Sequence, residues 1–300
     1  MSSFSILVDT NTDLPQEYFE KHDIMIIPIA FHLDGKMHSS GDWKEITAED
    51  FYKALRAGST AGTALANQDA FADIFSRYAS ESGSLLVITL SSELSGTYQN
   101  ALLALNDINE QYPNASIHVV DSINAAGGAG VLTALAVEKR AEGFTASETA
   151  LWLEEKKHSC MALFTVDDLM HLHRGGRLSR LSAIAGSIIG IKPLLNVAPD
   201  GSLKLKDKVR GRSSAISTLF SQMQRTINPG SKPGKLIISH TDCIDDAEKL
   251  AEMIRNAYDL EEITICMMGP IIGTHVGPSS IALFYESDMT RLEYESKFYP

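Results

Sequence analysis

Short apolar runs alternate with segments of helical period through the first half of the chain, the pattern expected of strand–helix–strand units. Ile6-Leu7-Val8 reads as a strand, followed by Asp9-Thr10-Asn11-Thr12-Asp13 and a helix opening at Leu14-Pro15 and running to residue 22. Residues 25–31 read as a second strand, and residues 85–90 as another that turns through 91–96 into a helix over 97–109. Ile117-His118-Val119-Val120 ends in Asp121-Ser122, just before the small-residue helix start Ala125-Ala126-Gly127-Gly128-Ala129-Gly130. Strands that end in Asp or Ser ahead of a helix predict a parallel sheet with its ligand beyond their carboxyl ends, where helix N-termini converge.

The second half reads differently, which puts a boundary after the charged helix 148–157 and divides the chain into an N-terminal α/β domain, 1–157, and a C-terminal α/β domain, 158–300. Residues 160–166 are strand-like, 167–173 form a short helix stopped by Gly175-Gly176, and 183–191 are small and apolar. Residues 194–197 and 203–208 flank the turn Asp200-Gly201 and read as a hairpin. Helices over 212–227 and 245–258 and strands over 235–239 and 263–268 follow, and with the hairpin among its strands the second sheet is expected to be mixed or antiparallel. The charged and aromatic stretch 286–300 shows no clear period and is compatible with a packed or a loose tail.

Composition narrows the functional classes. With 38 acidic against 26 basic residues among 300, the net charge of −12 argues against nucleic acid and anionic lipid surfaces as partners. Three separated cysteines, Cys160, Cys243 and Cys266, suggest neither a disulfide framework nor a zinc site. No secretory leader and no apolar run of membrane-spanning length are apparent, so the expectation is a cytoplasmic protein without stable membrane insertion.

The candidate chemistry is sparse, and each candidate has a plain structural use. Ser92-Glu93-Leu94-Ser95-Gly96-Thr97 lies at a strand-to-helix junction, where a hydroxyl and free backbone N–H groups make an anion site of carboxylate size; ordinary helix capping explains the same serine. Thr60-Ala61-Gly62-Thr63 is a second hydroxyl-bearing loop ahead of a helix over 68–80, again with capping as its default role. Gly127-Gly128-Ala129-Gly130 matches neither a dinucleotide fingerprint nor a P-loop and suits close helix packing. His171 and His173 point to different sides of a helix and make a poor metal pair. A hydrolytic triad of Ser95, His275 and Asp121 is possible by residue type, although the G-x-S-x-G elbow is absent.

Taken together, the motifs resemble the DegV family of bacterial fatty-acid-binding proteins over nearly the whole chain. The matching segments are Val8-Asp9-Thr10 with Asp13-Leu14-Pro15, Ile27-Pro28-Ile29 with Asp34-Gly35, Phe51-Tyr52, Leu94-Ser95-Gly96-Thr97-Tyr98-Gln99 and Val120-Asp121-Ser122. Further along they are Asp168-Leu169 through Gly175-Gly176-Arg177-Leu178, Gly190-Ile191-Lys192-Pro193-Leu194, Lys208-Val209-Arg210 and His275-Val276-Gly277-Pro278. The resemblance implies a two-domain α/β fold that binds one long-chain fatty acid, of the palmitate, oleate or stearate class, between its domains. It implies no cofactor, no metal and no catalytic cycle, and a role as acyl carrier for a separate fatty acid kinase. By the same resemblance, Thr63, Ser95, the Gly96 N–H, Arg177 and His275 would hold the carboxylate, and Arg210 with Lys208 would dock the kinase. Lys204, Lys206, Lys208, Arg210 and Arg212 alternate at strand period and are expected on one face, either as this docking patch or as lysine protection of a strand edge. The alternative is a lipid esterase or thioesterase using Ser95 and His275. The chain departs from the family at Thr63-Ala64-Leu65-Ala66-Asn67, where relatives read T-S-Q-P-S, and at Ser279, where they carry glycine. Ala183, Ile184, Ile188, Ile189, Ile271 and Ile272 are candidate walls of an acyl tunnel.

Overall fold

The computed structural model describes residues 4–39, 43, 45–178, 190–260 and 262–300. The alternation of apolar runs and helices folds as expected at the start: β1 (Ser5–Asp9), α1 (Gln16–Lys21) and β2 (Ile24–Ile27) open a parallel sheet. The expected strand over 25–31 is broken, because Pro28 has no N–H to give to a ladder. The chain beyond it forms β3 (Phe31–Leu33) and β4 (Lys36–His38) in a separate antiparallel sheet. Helix α2 (Ala48–Arg56) follows, and β5 (Ala61–Thr63) completes the small sheet by pairing with β3, so the expected loop at Thr60–Thr63 is in fact an edge strand. Then come α3 (Gln68–Ser80), β6 (Ser84–Thr89), α4 (Thr97–Gln111), β7 (Ser116–Asp121), α5 (Gly127–Ala141) and α6 (Ala146–Lys156). The first sheet is parallel throughout, in the order β2-β1-β6-β7.

The second sheet begins with β8 (Cys160–Thr165). After the short α7 (Met170–Arg174) come β9 (Ile191–Val197), β10 (Leu203–Arg210), α8 (Arg212–Gln224), β11 (Leu236–His240), α9 (Ile244–Tyr258) and β12 (Thr264–Met267). Helix α10 (Pro270–Val276), β13 (Ile281–Glu286) and α11 (Arg291–Phe298) finish the chain. The order is β10-β9-β8-β13-β11-β12, antiparallel except for the β11–β12 pair, so the fold is α/β with a parallel N-terminal and a mixed C-terminal sheet. Strand β13, which the sequence reading passed over, sits at the centre of this sheet.

Strand period decides where each side chain goes. Ile6 and Val8 face one core and Leu7 the opposite one; Met161 and Leu163 face away from Ala162 and Phe164 in the same manner. The outcome is five layers: α2, α3 and α4 outside the first sheet, α5 and α6 between the sheets, and α8, α9 and α11 outside the second. Helix α5 is buried at every position from Gly127 to Val137, as a helix apolar all round must be. A Cβ at Gly127 would come within 2.8 Å of Ile237, Phe284 and Ser239, so its glycine lets α5 approach the second sheet closely.

Two further differences matter for the site. The tail is a packed helix: Thr290 and Glu293 form a capping box, and Arg291 and Tyr294 are buried. Arg291 donates to the carbonyls of Cys160 (3.0 and 2.8 Å), Ile123 (2.6 Å), Ala198 (3.2 Å) and Lys157 (3.3 Å). One guanidinium thus joins the end of the first sheet, the start of the second and the β9–β10 hairpin. Ile123 has φ +44 and Ala126 φ +51, strained values for residues with a Cβ, and the Arg291 bond helps hold that turn. The second difference is a bulge in β10 between Leu205 and Asp207. Past it the alternation slips by one residue, so Lys208 and Arg210 lie on the opposite face from Lys204. Lys206 is paired with Glu295, and Arg212 belongs to α8, where it bonds Asp246 at 2.8 Å. The expected five-residue basic stripe is therefore not formed.

Candidate functional site

The carboxyl ends of β1, β6 and β7 converge on the second sheet, and an apolar cavity lies there. Its walls combine Ile29, Leu90, Leu94 and Ala126 from the first half with Phe164, Leu172, Val197 and Phe284 from the second. It is narrow, leaving about 70 Å³ of room for a water-sized sphere, and it is partly open to solvent. Ile271 and Ile272 line it as expected, whereas Ala183, Ile184, Ile188 and Ile189 lie outside the described residues.

Thr63, Ser95, Arg177 and His275 all contribute to this wall. Thr63, Arg177 and His275 also line a polar groove outside it, together with His32, Arg56, His171, Arg174 and Asp168. These three residues therefore stand where an apolar interior meets a polar exterior, the place for the head group of an amphiphile.

Local folding explains each position. Thr63 ends β5, and its hydroxyl hydrogen-bonds His275 Nε2 at 2.9 Å. It does not cap α3; Asn67 does, accepting the Asp69 N–H at 3.2 Å. Ser95 accepts the Thr97 N–H at 3.3 Å and shares a hydrogen bond with the Thr97 hydroxyl at 3.0 Å, so it supports the start of α4 while lining the cavity. Gly96 immediately precedes α4, and its N–H has no hydrogen-bond partner among the described residues. The segment 64–66 is pinned beside them: Ala66 N–H donates to Thr97 Oγ1 at 3.3 Å and Asn100 donates to the Ala66 carbonyl at 2.8 Å. Leu65, 45 % exposed, packs over Gly96.

His275 is delivered by α10, whose first turn is braced from the first half: Asp13 Oδ1 accepts the Gly269 N–H at 2.8 Å, and Tyr52 donates to the Met268 carbonyl at 2.6 Å. Burial pushes the Asp13 carboxyl up to about 8. Gly175 comes so close to the ring that a Cβ there would lie 2.2 Å from His275 Nδ1. That nitrogen has no partner among the described residues. Burial, with the nearby Arg177 charge second, pushes the His275 imidazole down to about 4, so it is neutral at pH 7. Arg177 donates to the Leu94 carbonyl at 3.0 Å and to the Gly175 carbonyl, and burial lowers its pKa. Among the described residues no acidic side chain pairs with it.

The arrangement offers donors and a positive charge to an anion, with no assembled nucleophile. His275 Nε2 is bonded to Thr63 rather than Ser95, and Asp121 accepts from the backbone of Ser92 and Ile123 instead of orienting the histidine. No cluster of three or more potential metal ligands occurs among the described residues. Lys208 and Arg210 lie at the far end of β10 and line neither the cavity nor the groove. Sequence reasoning missed Asn11, Leu90, Leu94 and Phe164 as lining residues. For Asn11 and Leu90 the signal was present, since they lie two and one residues beyond strands of the parallel sheet.

A DegV family profile, described as an uncharacterised protein family, matches residues 3–288. A DegV domain-containing protein of Clostridium perfringens is 36% identical over 289 residues, covering 96% of this chain and 99% of its own. A Thermotoga maritima protein whose structure is described as revealing fatty acid binding function superposes with TM-score 0.83 at 30% identity, over 96% of this chain and 100% of its own. The fold is shared with the Streptococcus pneumoniae fatty acid kinase B3 protein loaded with linoleic acid, at TM-score 0.82 and 20% identity, over 95% of this chain and 100% of that one. The chain belongs to the DegV family.

Proposed function

We propose that this DegV-family protein binds one long-chain fatty acid between residues 1–157 and 158–300, tail in the apolar cavity and carboxylate at its mouth. Thr63, Ser95 and the Gly96 N–H donate to the carboxylate, Arg177 supplies the charge, and neutral His275 orients the Thr63 hydroxyl. The observation that carries this reading is Arg177: a half-buried guanidinium at the rim of an apolar cavity, with no acidic partner among the described residues, is costly unless an anion completes it. The Thermotoga maritima relative described as a fatty acid binder supports the ligand class. Burying about fourteen methylenes at roughly 0.8 kcal/mol each grosses about 11 kcal/mol before association costs.

The protein acts as a carrier in the cytoplasm and has no turnover of its own. The groove leaves the carboxylate reachable, so that a partner kinase can bring ATP and Mg²⁺; a carboxylate oxygen attacks the γ-phosphorus, the bond to ADP breaks, and an acyl phosphate remains on the carrier. Likeness of fold to the kinase B3 protein supports this partner. Lys208 and Arg210, exposed together at the end of β10 in a chain of net charge −12, are its docking residues.

Native mass spectrometry with solvent extraction of the purified protein tests the reading, with a fatty acid mass as the expected result. A folded, empty protein that also rejects added palmitate refutes it. Ser95→Ala and Thr63→Ala are each expected to weaken binding by about 1 to 3 kcal/mol. Unchanged affinity in both would leave the two hydroxyls with structural work only.

A further inference from the structure

One polar side chain in the cavity wall is not explained by carboxylate binding. Asn11 follows β1, is fully buried at 0 % exposure and lines the cavity. Neither its Oδ1 nor its Nδ2 has a hydrogen-bond partner among the described residues. Its backbone N–H is tied to Asp9 Oδ1 at 3.0 Å, which fixes the turn. The amide lies beside the Asp9 carboxyl but outside hydrogen-bond geometry, and the other Asp9 oxygen accepts the Leu90 N–H at 2.8 Å. Unlike Thr63, Arg177 and His275, Asn11 does not reach the polar groove.

Buried amides are nearly always hydrogen-bonded, and a plain alkyl tail would both fail to pair this one and shut out the water that could. A hydroxyl group matches it, since one oxygen can donate to Oδ1 and accept from Nδ2. We infer that Asn11 is a specificity-determining residue that recognises a hydroxyl on the acyl chain, so that the cavity takes hydroxylated long-chain fatty acids in preference to the unsubstituted acid. The inference rests on the cavity being the fatty-acid site. A site built to pair a hydroxyl discriminates against the analogue lacking it, because the buried partner is left unmade.

The test compares the affinities of stearate and of 2-, 3-, 10- and 12-hydroxystearate for the wild-type protein, Asn11→Leu and Asn11→Ala, with thermal unfolding to confirm that each variant is folded. The wild type is expected to favour at least one hydroxylated isomer over stearate by about tenfold. Asn11→Leu is expected to erase that ratio and to bind stearate more tightly, because no amide is then stranded; Asn11→Ala gives the same ratio if leucine is too large to fold. A merely structural role would weaken all five ligands alike. Equal affinity of the wild type for stearate and every hydroxylated isomer, or a preference that survives both substitutions, overturns the inference while leaving the fatty-acid site intact. Failure of the wild type to bind any of the five ligands overturns both.

Discussion

Replacing His275 with glutamine isolates the energetic consequence of burying an imidazole at the cavity mouth. The folded value of about 4 lies below the ordinary 6.5. At pH 7 both states are neutral; as pH falls through 6.5 the unfolded chain takes up a proton that the folded one refuses until about pH 4, so folded-state stability is lost over that window. The difference amounts to about 2 kcal/mol at pH 5 and about 3 kcal/mol at pH 4. Asp13 acts in the opposite direction. Its raised carboxyl, at about 8 in the folded state, gives stability that is present in full below its unfolded value of 3.8 and lost as pH rises through 8. The wild-type pH profile therefore mixes two opposed slopes, and the difference between wild type and His275→Gln removes the one that both proteins share. Urea unfolding of ligand-free protein at pH 7 and pH 5 is expected to show the wild type losing about 2 kcal/mol relative to the variant. Glutamine keeps a polar tip for Thr63 but cannot titrate, which confines the difference to the proton. Parallel profiles would show that the ring is solvated in both states and refute the argument. Saturation with palmitate is expected to shrink the acid loss, since a carboxylate beside the ring favours its protonated form.

Arg291→Met is expected to cost about 3 to 5 kcal/mol in denaturant unfolding, because it strands the carbonyls of Ile123, Lys157, Cys160 and Ala198; a loss below about 1 kcal/mol would mean that water replaces the guanidinium. Arg210→Glu is expected to leave fold and fatty-acid content unchanged while slowing acyl-phosphate formation by the partner kinase, most strongly at low ionic strength; wild-type rates across a salt series would place docking elsewhere. Leu65→Gln, which removes the apolar cover from Gly96, is expected to change the rate of fatty-acid exchange in stopped-flow displacement without changing unfolding by more than about 0.5 kcal/mol. An unaltered exchange rate would make Leu65 a passive surface residue.

Period and end signals were enough for much of this protein. Apolar runs at 6–8, 85–90 and 117–120, each leading through Asp or Ser to a helix, specified the parallel sheet and the end of it at which the cavity lies, because strand period and helix-terminus polarity are local properties. The motifs around Ser95, Arg177 and His275 placed the family and the head-group candidates. What local pattern could not supply was pairing between distant residues. Strand β13 reads as an ordinary apolar run, and only its neighbours β8 and β11 make it central. Thr63 looked like a helix cap because it precedes a helix; its hydroxyl instead finds His275, 212 positions away in sequence. The basic alternation at 204–212 promised a single face, and one bulged residue against β9 divided it. The tail showed no period because its helix is short, yet Arg291 within it ties both halves together through carbonyls whose burial depends on the assembled fold. Hydrophobic period is written residue by residue, whereas the cost of a buried charge or amide is set by whatever the finished structure places beside it, and that is why the walls were legible and the polar contacts were decided only by the tertiary structure.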